Sequence, residues 1–210
     1  IAILGSTGSI GTTSLNIIEK KSKLFKIEVL SANKNYNKIL HQIKKFKPSF
    51  FIVTNNDIYL KIKKKLKNNK TKIINSFKQL SFSNKRLDIT IAAIPGLIGL
   101  EPTIKFTKIS KKILLANKEA IICGWDIIKK TAIKNNTKII PLDSEHFSIF
   151  KLVENYKDKD IDKIYITASG GPFLNLAKNK FKNIKPSEAL KHPKWRMGKK
   201  ISIDSATLMN

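Results

Sequence analysis

The chain has 210 residues, of which 41 are basic and 15 acidic, so its net charge is +26. This length allows one large domain or two small ones around a buried core. All basic residues except Arg86 and Arg196 are lysine, whereas nucleic-acid-binding proteins rely on arginine for paired contacts. The charge therefore indicates a solvated surface that attracts anions such as phosphates, and disfavours a nucleic-acid partner. The most apolar stretch, residues 89–100, is interrupted by Pro95 and Gly96, so we expect no membrane-spanning segment.

Cysteine content and the first residue bear on where the protein resides. The single cysteine, Cys123, cannot form an internal disulfide, which suits a reducing compartment. The chain starts at Ile1, already inside an apolar run, so we expect a fragment that lacks its extreme N-terminus. A bacterial cytoplasm is the expected location, and a plastid is possible because a targeting peptide could precede Ile1.

Apolar runs alternate with helical patterns over the first two thirds of the chain. This alternation predicts right-handed crossovers and an α/β fold with a mostly parallel sheet, which we assign to residues 1–141. The predicted strands are Ile1–Leu4, Ile27–Leu30, Phe50–Val53, Lys72–Ile74, Asp88–Ala92, Lys112–Leu115 and Lys138–Pro141. The clearest predicted helices are Thr12–Lys20, Tyr36–Lys45, Asp57–Lys67 and Lys118–Lys134.

Residues 142–210 have a different character. A predicted strand, Lys163–Ala168, is followed by a loop region rich in glycine, proline, lysine and asparagine. Such composition is typical of loops that form a site on a scaffold. We therefore expect a second, catalytic domain here.

A glycine-rich turn, Gly5–Gly11, stands between the first predicted strand and the first predicted helix. Its Gly-x-x-Gly-x-x-Gly spacing is a variant of the dinucleotide-binding fingerprint. Glycines let the backbone approach a diphosphate, and the helix N-terminus offers free N–H groups and a positive dipole. The turn predicts a Rossmann-like dinucleotide-binding domain, although glycine turns after strands also occur for structural reasons.

The tip of the second predicted strand indicates which dinucleotide binds. An acidic residue at this position selects NAD by accepting the ribose 2′-hydroxyl, whereas basic or neutral residues accommodate the 2′-phosphate of NADP. Here Ser31–Asn35 contains no carboxylate, and Lys34 could pair with a phosphate. Lys34 could equally be one more surface lysine, so the absence of an acid is the firmer argument for NADP.

Two carboxylates, Asp143 and Glu145, directly follow the last predicted strand of the sheet. Carboxylate oxygens suit a hard cation such as Mg²⁺ or Mn²⁺, and Ser144 could add a hydroxyl toward a substrate. The alternative is an ordinary helix start, with Asp143 as the N-cap and Glu145 favouring the dipole. Spacing alone slightly favours the helix start.

Other polar groups also follow predicted strands or lie in the glycine-rich region. Asn117–Glu119 stands at a strand end and offers either ligand contacts or a helix start. Ser169–Pro172 presents a hydroxyl and open N–H groups that suit an oxyanion. The stretch His192–Gly198 includes Trp195, which would be unfavourable on a loop unless it packs or covers a ligand.

Five motifs in order, GSTGSIG, LANKE, PLDSEH, ASGGPF and HPKWRMGKKISIDSATLMN, resemble the 1-deoxy-D-xylulose 5-phosphate reductoisomerase family from the first residue to the last. The resemblance implies conversion of 1-deoxy-D-xylulose 5-phosphate into 2-C-methyl-D-erythritol 4-phosphate in non-mevalonate isoprenoid biosynthesis. It also implies NADPH, Mg²⁺ or Mn²⁺, and a homodimer in the intact enzyme. A C-terminal helical domain and a third metal carboxylate of the family are absent from the chain, so we expect these 210 residues alone to be inactive.

The resemblance also implies site residues, carried over motif by motif. The cofactor-binding residues are Thr7, Gly8, Ser9, Ile10, Asn33, Lys34, Asn35, Asn117, Glu119 and Gly198. The substrate-binding residues are Lys118, Ser144, Glu145, Ser169, His192, Ser205 and Asn210, and of these Lys118, Glu145 and His192 are assigned catalytic roles. The metal ligands are Asp143 and Glu145, and Trp195 belongs to a lid loop.

Two other functions fit parts of the sequence. An NADP-dependent reductase of another phosphorylated small molecule would keep the glycine turn without requiring the DSEH and SGGPF motifs. A basic nucleic-acid-binding protein would predict steep salt dependence of duplex binding, but it leaves the motifs at the strand ends unexplained.

Overall fold

The computed structural model describes residues 1–67, 69–81 and 86–207. By backbone contacts the chain divides into two compact units, Ile1–Lys151 and Leu152–Asn210. The predicted division into domains 1–141 and 142–210 stays a prediction, because contact-based units do not define the domain limits of a family. No helix in the described part of the chain is long and apolar enough to cross a bilayer.

Seven parallel strands form the sheet of the first unit in the order β4-β3-β2-β1-β5-β6-β7. The strands are β1 (Ala2–Leu4), β2 (Val29–Ala32), β3 (Phe50–Val53), β4 (Lys72–Ile74), β5 (Leu87–Ala92), β6 (Ser110–Leu115) and β7 (Lys138–Pro141). The helices are α1 (Ser9–Lys20), α2 (Tyr36–Phe46), α3 (Asn56–Lys65), α4 (Leu100–Ile109), α5 (Lys118–Lys134) and α6 (Ser144–Val153). The predicted parallel α/β fold is confirmed, and several predicted bounds, such as Lys118–Lys134, match to the residue.

Alternating side chains of the buried strands build a core on each face of the sheet. Ile3 and Leu30 pack with Ile39 and Ile43 of α2 on one face. Ala2, Leu4 and Val29 pack with Phe106 of α4 and other residues on the opposite face. Helices therefore cover both faces, and the carboxyl ends of all seven strands share one edge.

The order of the strands places a crevice at this edge. The chain runs outward from β1 through β2 and β3 to β4, then returns to β5 on the other side of β1. β1 pairs with both β2 and β5. This reversal is the topological switch point at which α/β sheets bind ligands.

The described residues of the second unit form two short α-helices, α7 (Pro186–Ala189) and α8 (Lys199–Ala206), together with three 3₁₀ helices and turns. Its described residues include no β-strand, so the predicted strand Lys163–Ala168 is wrong. Tyr165 is 83% exposed and Ile166 is 69% exposed. An apolar, β-branched run favours a strand, but a strand forms only where a neighbour supplies backbone hydrogen bonds, and none pairs with this run in the described part of the unit.

Candidate functional site

The glycine turn is packed tightly against the protein on one side. Gly5 has φ +83°, and a Cβ added there would lie 2.6 Å from the carbonyl oxygen of Ala93 at the end of β5. A Cβ on Gly11 would lie 2.4 Å from the carbonyl oxygen of Gly5. Glycine is thus required at these two positions, because any side chain would push the turn off β5 or off α1.

The other side of the turn is open to solvent. A Cβ on Gly8 would meet just one atom within 4 Å, at 3.4 Å, and Ser9 is exposed. Gly8 is the N-cap of α1, and no side chain among the described residues caps this helix. The first N–H groups of α1 consequently remain available to an anion, in the segment where Thr7, Gly8, Ser9 and Ile10 are predicted to bind a cofactor.

The predicted 2′-phosphate residues follow β2, the neighbour of β1. Asn33, Lys34 and Asn35 are all exposed. Asn35 is the N-cap of α2, where its Oδ1 accepts a hydrogen bond from the Lys38 N–H at 3.1 Å. Because the tip carries a cation and amides and no carboxylate, it offers a 2′-phosphate favourable electrostatics.

Asn117 begins α5, as the helix-start alternative predicted, and its side chain also holds the loop after β5, a contact that its sequence position did not reveal. Its side chain is buried, and Nδ2 donates to the carbonyl oxygens of Ile94 at 2.6 Å and Gly96 at 2.9 Å. Its Oδ1 caps α5 by accepting from the Ala120 N–H at 2.9 Å. The side chain thus ties the loop after β5 to the start of α5, and it places Lys118 and Glu119 in the first turn of that helix.

Asp143 connects two adjacent strand ends. Its Oδ1 accepts from the His146 N–H at 2.9 Å, so it caps α6, and the His146 ring Nδ1 lies 2.6 Å from the same oxygen. Its Oδ2 faces the Lys118 ammonium at 3.0 Å. Burial opposes ionisation of this carboxyl, but the Lys118 ammonium and the contacts from His146 outweigh it and lower the pKa of Asp143 below its ordinary value.

These residues fit the expected divalent cation as part of its ligand set. The Asp143 Oδ2 atom is buried, and among the described residues the Lys118 ammonium approaches it, at 3.0 Å. Ser144 and Glu145 occupy the first turn of α6 directly after it. Across residues 1–67, 69–81 and 86–207, no group of three or more His, Cys, Asp or Glu side chains is arranged to hold a metal ion. Asp143 and Glu145 could supply two carboxylate ligands of the kind that Mg²⁺ and Mn²⁺ prefer. A complete metal site needs further ligands.

The second unit, taken by itself, brings three predicted substrate-binding residues together. Ser169 Oγ lies 3.0 Å from His192 Nε2 and 3.2 Å from Ser205 Oγ. Gly170 and Gly171 have positive φ values of 75° and 62°, and Gly171 approaches α8 so closely that a Cβ would lie 2.8 Å from the Ser205 carbonyl oxygen. The two glycines thus let the turn carry Ser169 onto α8, although 36 residues separate Ser169 from Ser205.

Backbone hydrogen bonds orient the His192 ring. Its Nδ1 accepts from the N–H groups of Lys194 at 3.1 Å and Trp195 at 3.0 Å. The neutral ring must therefore carry its proton on Nε2, which faces Ser169. The Trp195 ring stacks on His192 at 4.9 Å between centroids and is 57% exposed. Gly198 is the N-cap of α8, and Asn210 lies outside the described residues.

Comparison with known proteins agrees with both units. The model of the 1-deoxy-D-xylulose 5-phosphate reductoisomerase family matches residues 1–124, and the model of the C-terminal domain of the same enzyme matches residues 139–210. The chain belongs to this reductoisomerase family. It is similar to the reductoisomerase of Pelagibacter ubique, with 53% identity over 100% of this chain and 55% of the relative.

Solved reductoisomerase structures are similar along the whole chain. One, in complex with NADPH, fosmidomycin and magnesium, matches with a TM-score of 0.88 and 36% identity over 100% of this chain and 54% of that chain. The Zymomonas mobilis enzyme in complex with NADPH matches with a TM-score of 0.83 and 29% identity over the same shares. The chain thus spans about half the length of the reductoisomerases it matches.

Two residues that contact the glycine turn give no signal in the sequence. Lys38 Nζ donates to the Thr7 carbonyl oxygen at 3.2 Å. Gln42, one helical turn later, forms two hydrogen bonds with Ser6. Their spacing of four places both on one side of α2, but polar residues at that spacing are common on exposed helix faces and do not indicate contact with a turn.

Replacing Asp143 with asparagine should lower stability in a pH-dependent way. Because folding lowers the pKa of Asp143, its charge stabilises the fold at pH values above about 3.9, the unfolded value. This contribution is lost as the pH falls through the lower folded pKa. We expect Asp143→Asn, which keeps the cap acceptor, to cost about 1–2 kcal/mol near neutral pH and little in acid. Urea unfolding with a chelator present measures it.

The matched control for this charge is Asp88→Asn, since Asp88 is an exposed carboxylate paired with Lys111. It should change the free energy of unfolding by less than about 0.5 kcal/mol at any pH. An Asp143→Asn effect that stays constant from neutral to acidic pH would contradict the assignment of the lowered pKa to this ion pair.

The tautomer of His192 is directly measurable. For the neutral ring, we expect ¹⁵N NMR to show an unprotonated Nδ1 and a protonated Nε2, because Nδ1 accepts two backbone hydrogen bonds. His41 is the comparison ring, since neither of these contacts constrains it. A protonated Nδ1 on neutral His192 would show that the loop does not hold the ring in this way.

Proposed function

We propose that these residues belong to an enzyme that converts 1-deoxy-D-xylulose 5-phosphate into 2-C-methyl-D-erythritol 4-phosphate with NADPH and Mg²⁺ or Mn²⁺. The observation that carries the proposal is the Asp143–Lys118 pair, at the same sheet edge as the glycine turn. Membership in the reductoisomerase family supports it, as do the NADPH and magnesium in solved relatives.

Residues of the first unit bind different parts of the cofactor along the carboxyl-end edge of the sheet. The start of α1, with Thr7, Gly8, Ser9 and Ile10, binds the diphosphate through backbone N–H groups. Lys34, with Asn33 and Asn35, attracts the 2′-phosphate. When bound, NADPH supplies a hydride, and the divalent cation stabilises negative charge on the substrate oxygens.

Lys118, Asp143 and Glu145 provide the charged part of the reaction site. Asp143 stays ionised at neutral pH because its pKa is lowered, so it can serve as a metal ligand without first losing a proton. Lys118, 24% exposed, supplies a positive charge beside the substrate oxygens. Glu145 adds a second carboxylate, and Ser144 a hydroxyl for orienting the substrate.

The second unit suits the phosphate end of the substrate. Ser169 and Ser205 offer hydroxyl donors, and His192 offers the Nε2 proton without having to be cationic. Phosphate contacts of this kind supply binding energy for the substrate. Trp195 and Gly198 belong to the loop that we assign to excluding water.

The remaining assignments also extend the family pattern. We place the enzyme in a bacterial cytoplasm or a plastid, in keeping with a lone cysteine, Cys123. We also assign it a homodimeric state, which sedimentation of the intact protein tests.

The activity is tested by loss of NADPH absorbance with 1-deoxy-D-xylulose 5-phosphate and Mn²⁺. The full gene product is used, because the chain spans about half the length of its relatives. We expect oxidation that a chelator abolishes. Glu145→Gln should lower kcat/KM at least about a hundredfold, since it removes a charge beside the reacting oxygens.

Asp88→Asn serves as the control, since this exposed carboxylate lies at the start of β5 on the opposite edge of the sheet. It should leave the rate unchanged. A folded protein that binds NADPH but does not oxidise it with this substrate would contradict the substrate assignment and favour a reductase of another phosphorylated molecule.

A further inference from the structure

Gln42, a buried residue of α2, forms two hydrogen bonds with Ser6 in the glycine turn. The Ser6 hydroxyl donates to Gln42 Oε1 at 2.6 Å, and Gln42 Nε2 donates to the Ser6 carbonyl oxygen at 2.9 Å. Ser6 is 0% exposed and Gln42 is 4% exposed. One carboxamide thus holds both the side chain and the backbone of a single residue that lies 36 positions away.

The contacts of Gln42 complete the fixation of Ser6. The Ser6 N–H donates to the Ser31 carbonyl oxygen at 2.8 Å, and the Gly5 N–H contacts both the Ser31 carbonyl oxygen and its Oγ at 3.1 Å. All three polar groups of Ser6 are therefore engaged with the protein. Ser6 is therefore held in place, and Thr7 and Gly8 connect it to the start of α1.

Packing alone does not explain a glutamine at this position. A buried amide costs free energy unless each polar atom finds a partner. The neighbouring residues Ile39 and Ile43 fill the core beneath α2 without polar groups. Both polar atoms of Gln42 bind Ser6, so the side chain fixes the conformation of the turn. An apolar side chain of similar size could not form these hydrogen bonds.

The same helix also reaches the tip of β2. Asn35 caps α2, and Lys38 donates to the Thr7 carbonyl oxygen at 3.2 Å. One rigid helix therefore links the predicted 2′-phosphate residues at its N-terminus to two successive residues of the glycine turn. Such a link keeps the two phosphate-binding segments at a constant separation before any ligand arrives.

We propose that Gln42 is a positioning residue for NADPH: it holds Ser6 so that the N–H groups at the start of α1 are arranged for the diphosphate before binding. This inference rests on the proposed NADPH function. It assigns Gln42 no contact with the cofactor. Its effect acts through the turn, as pre-organisation that lowers the cost of binding.

The test combines backbone amide exchange with NADPH affinity in the full gene product. In Gln42→Met, which keeps the volume but loses both hydrogen bonds, we expect the amides of Gly5, Ser6 and Gly8 to exchange at least about tenfold faster. The dissociation constant for NADPH should rise about tenfold, which is the change expected from the loss of about one net hydrogen bond. Gln42→Glu keeps the acceptor for Ser6 Oγ but sets a carboxylate oxygen against the Ser6 carbonyl oxygen, so it should raise the dissociation constant at least as much.

Ile43→Val is the matched control, because Ile43 is equally buried on the same helix but faces the core. It should lower the melting temperature while leaving turn exchange and NADPH affinity unchanged. If Gln42→Met does not fold, Ser6→Ala removes one of the two hydrogen bonds and should produce the same two changes in weaker form.

The outcomes separate this inference from the function on which it rests. Turn amides that exchange in Gln42→Met as they do in the unaltered chain overturn the inference, as does an equal rise in the dissociation constant with Ile43→Val. An unaltered chain that fails to bind NADPH overturns the proposed function and, with it, the cofactor role of Gln42.

Discussion

The central strand β1 carries the constraint on which the rest of the first unit depends. Only three residues long, it pairs in parallel with β2 on one side and β5 on the other. Its buried side chains contribute to both cores. Because the glycine turn leaves β1 directly and Gly5 abuts the end of β5, the pairing of this strand fixes where the turn lies. The position of the glycine turn, at the carboxyl-end edge of the sheet, therefore depends on the pairing of β1.

Charge is concentrated at the other end of this edge. The chain is strongly basic, so an ionised carboxylate beside a lysine is electrostatically favoured there, and Asp143 with Lys118 realises this. The capping bond from His146 holds the carboxylate in place. From the sequence, helix capping and metal binding are alternatives at Asp143. The structure assigns the capping to Oδ1, which accepts from the His146 N–H, whereas Oδ2 faces Lys118. Capping by one oxygen therefore does not preclude metal binding by the other.

Much of the first unit was predictable because its strands and helices have distinct periodicities, and because parallel strands bring their carboxyl ends to one edge. Residues that follow strands, such as Asn117 and Asp143, could therefore be found from sequence. Gln42 could not, since a lone polar residue on a helix gives no signal of what it contacts. The strand expected at 163–168 was wrong because its pattern describes side chains, whereas a strand depends on a partner that the sequence does not locate.

We propose that the edge of the sheet formed by the strands' carboxyl ends binds NADPH, with Lys34 at the 2′-phosphate. This proposal is tested most directly by titrating the 210-residue chain with NADPH and with NADH and following the fluorescence of the reduced nicotinamide. We expect NADPH to bind at least about tenfold more tightly than NADH, a difference of about 1.4 kcal/mol. Added salt should reduce this difference in affinity, because it screens the 2′-phosphate charge. Equal affinity for the two dinucleotides, or no binding of either by the folded chain, would contradict the proposal.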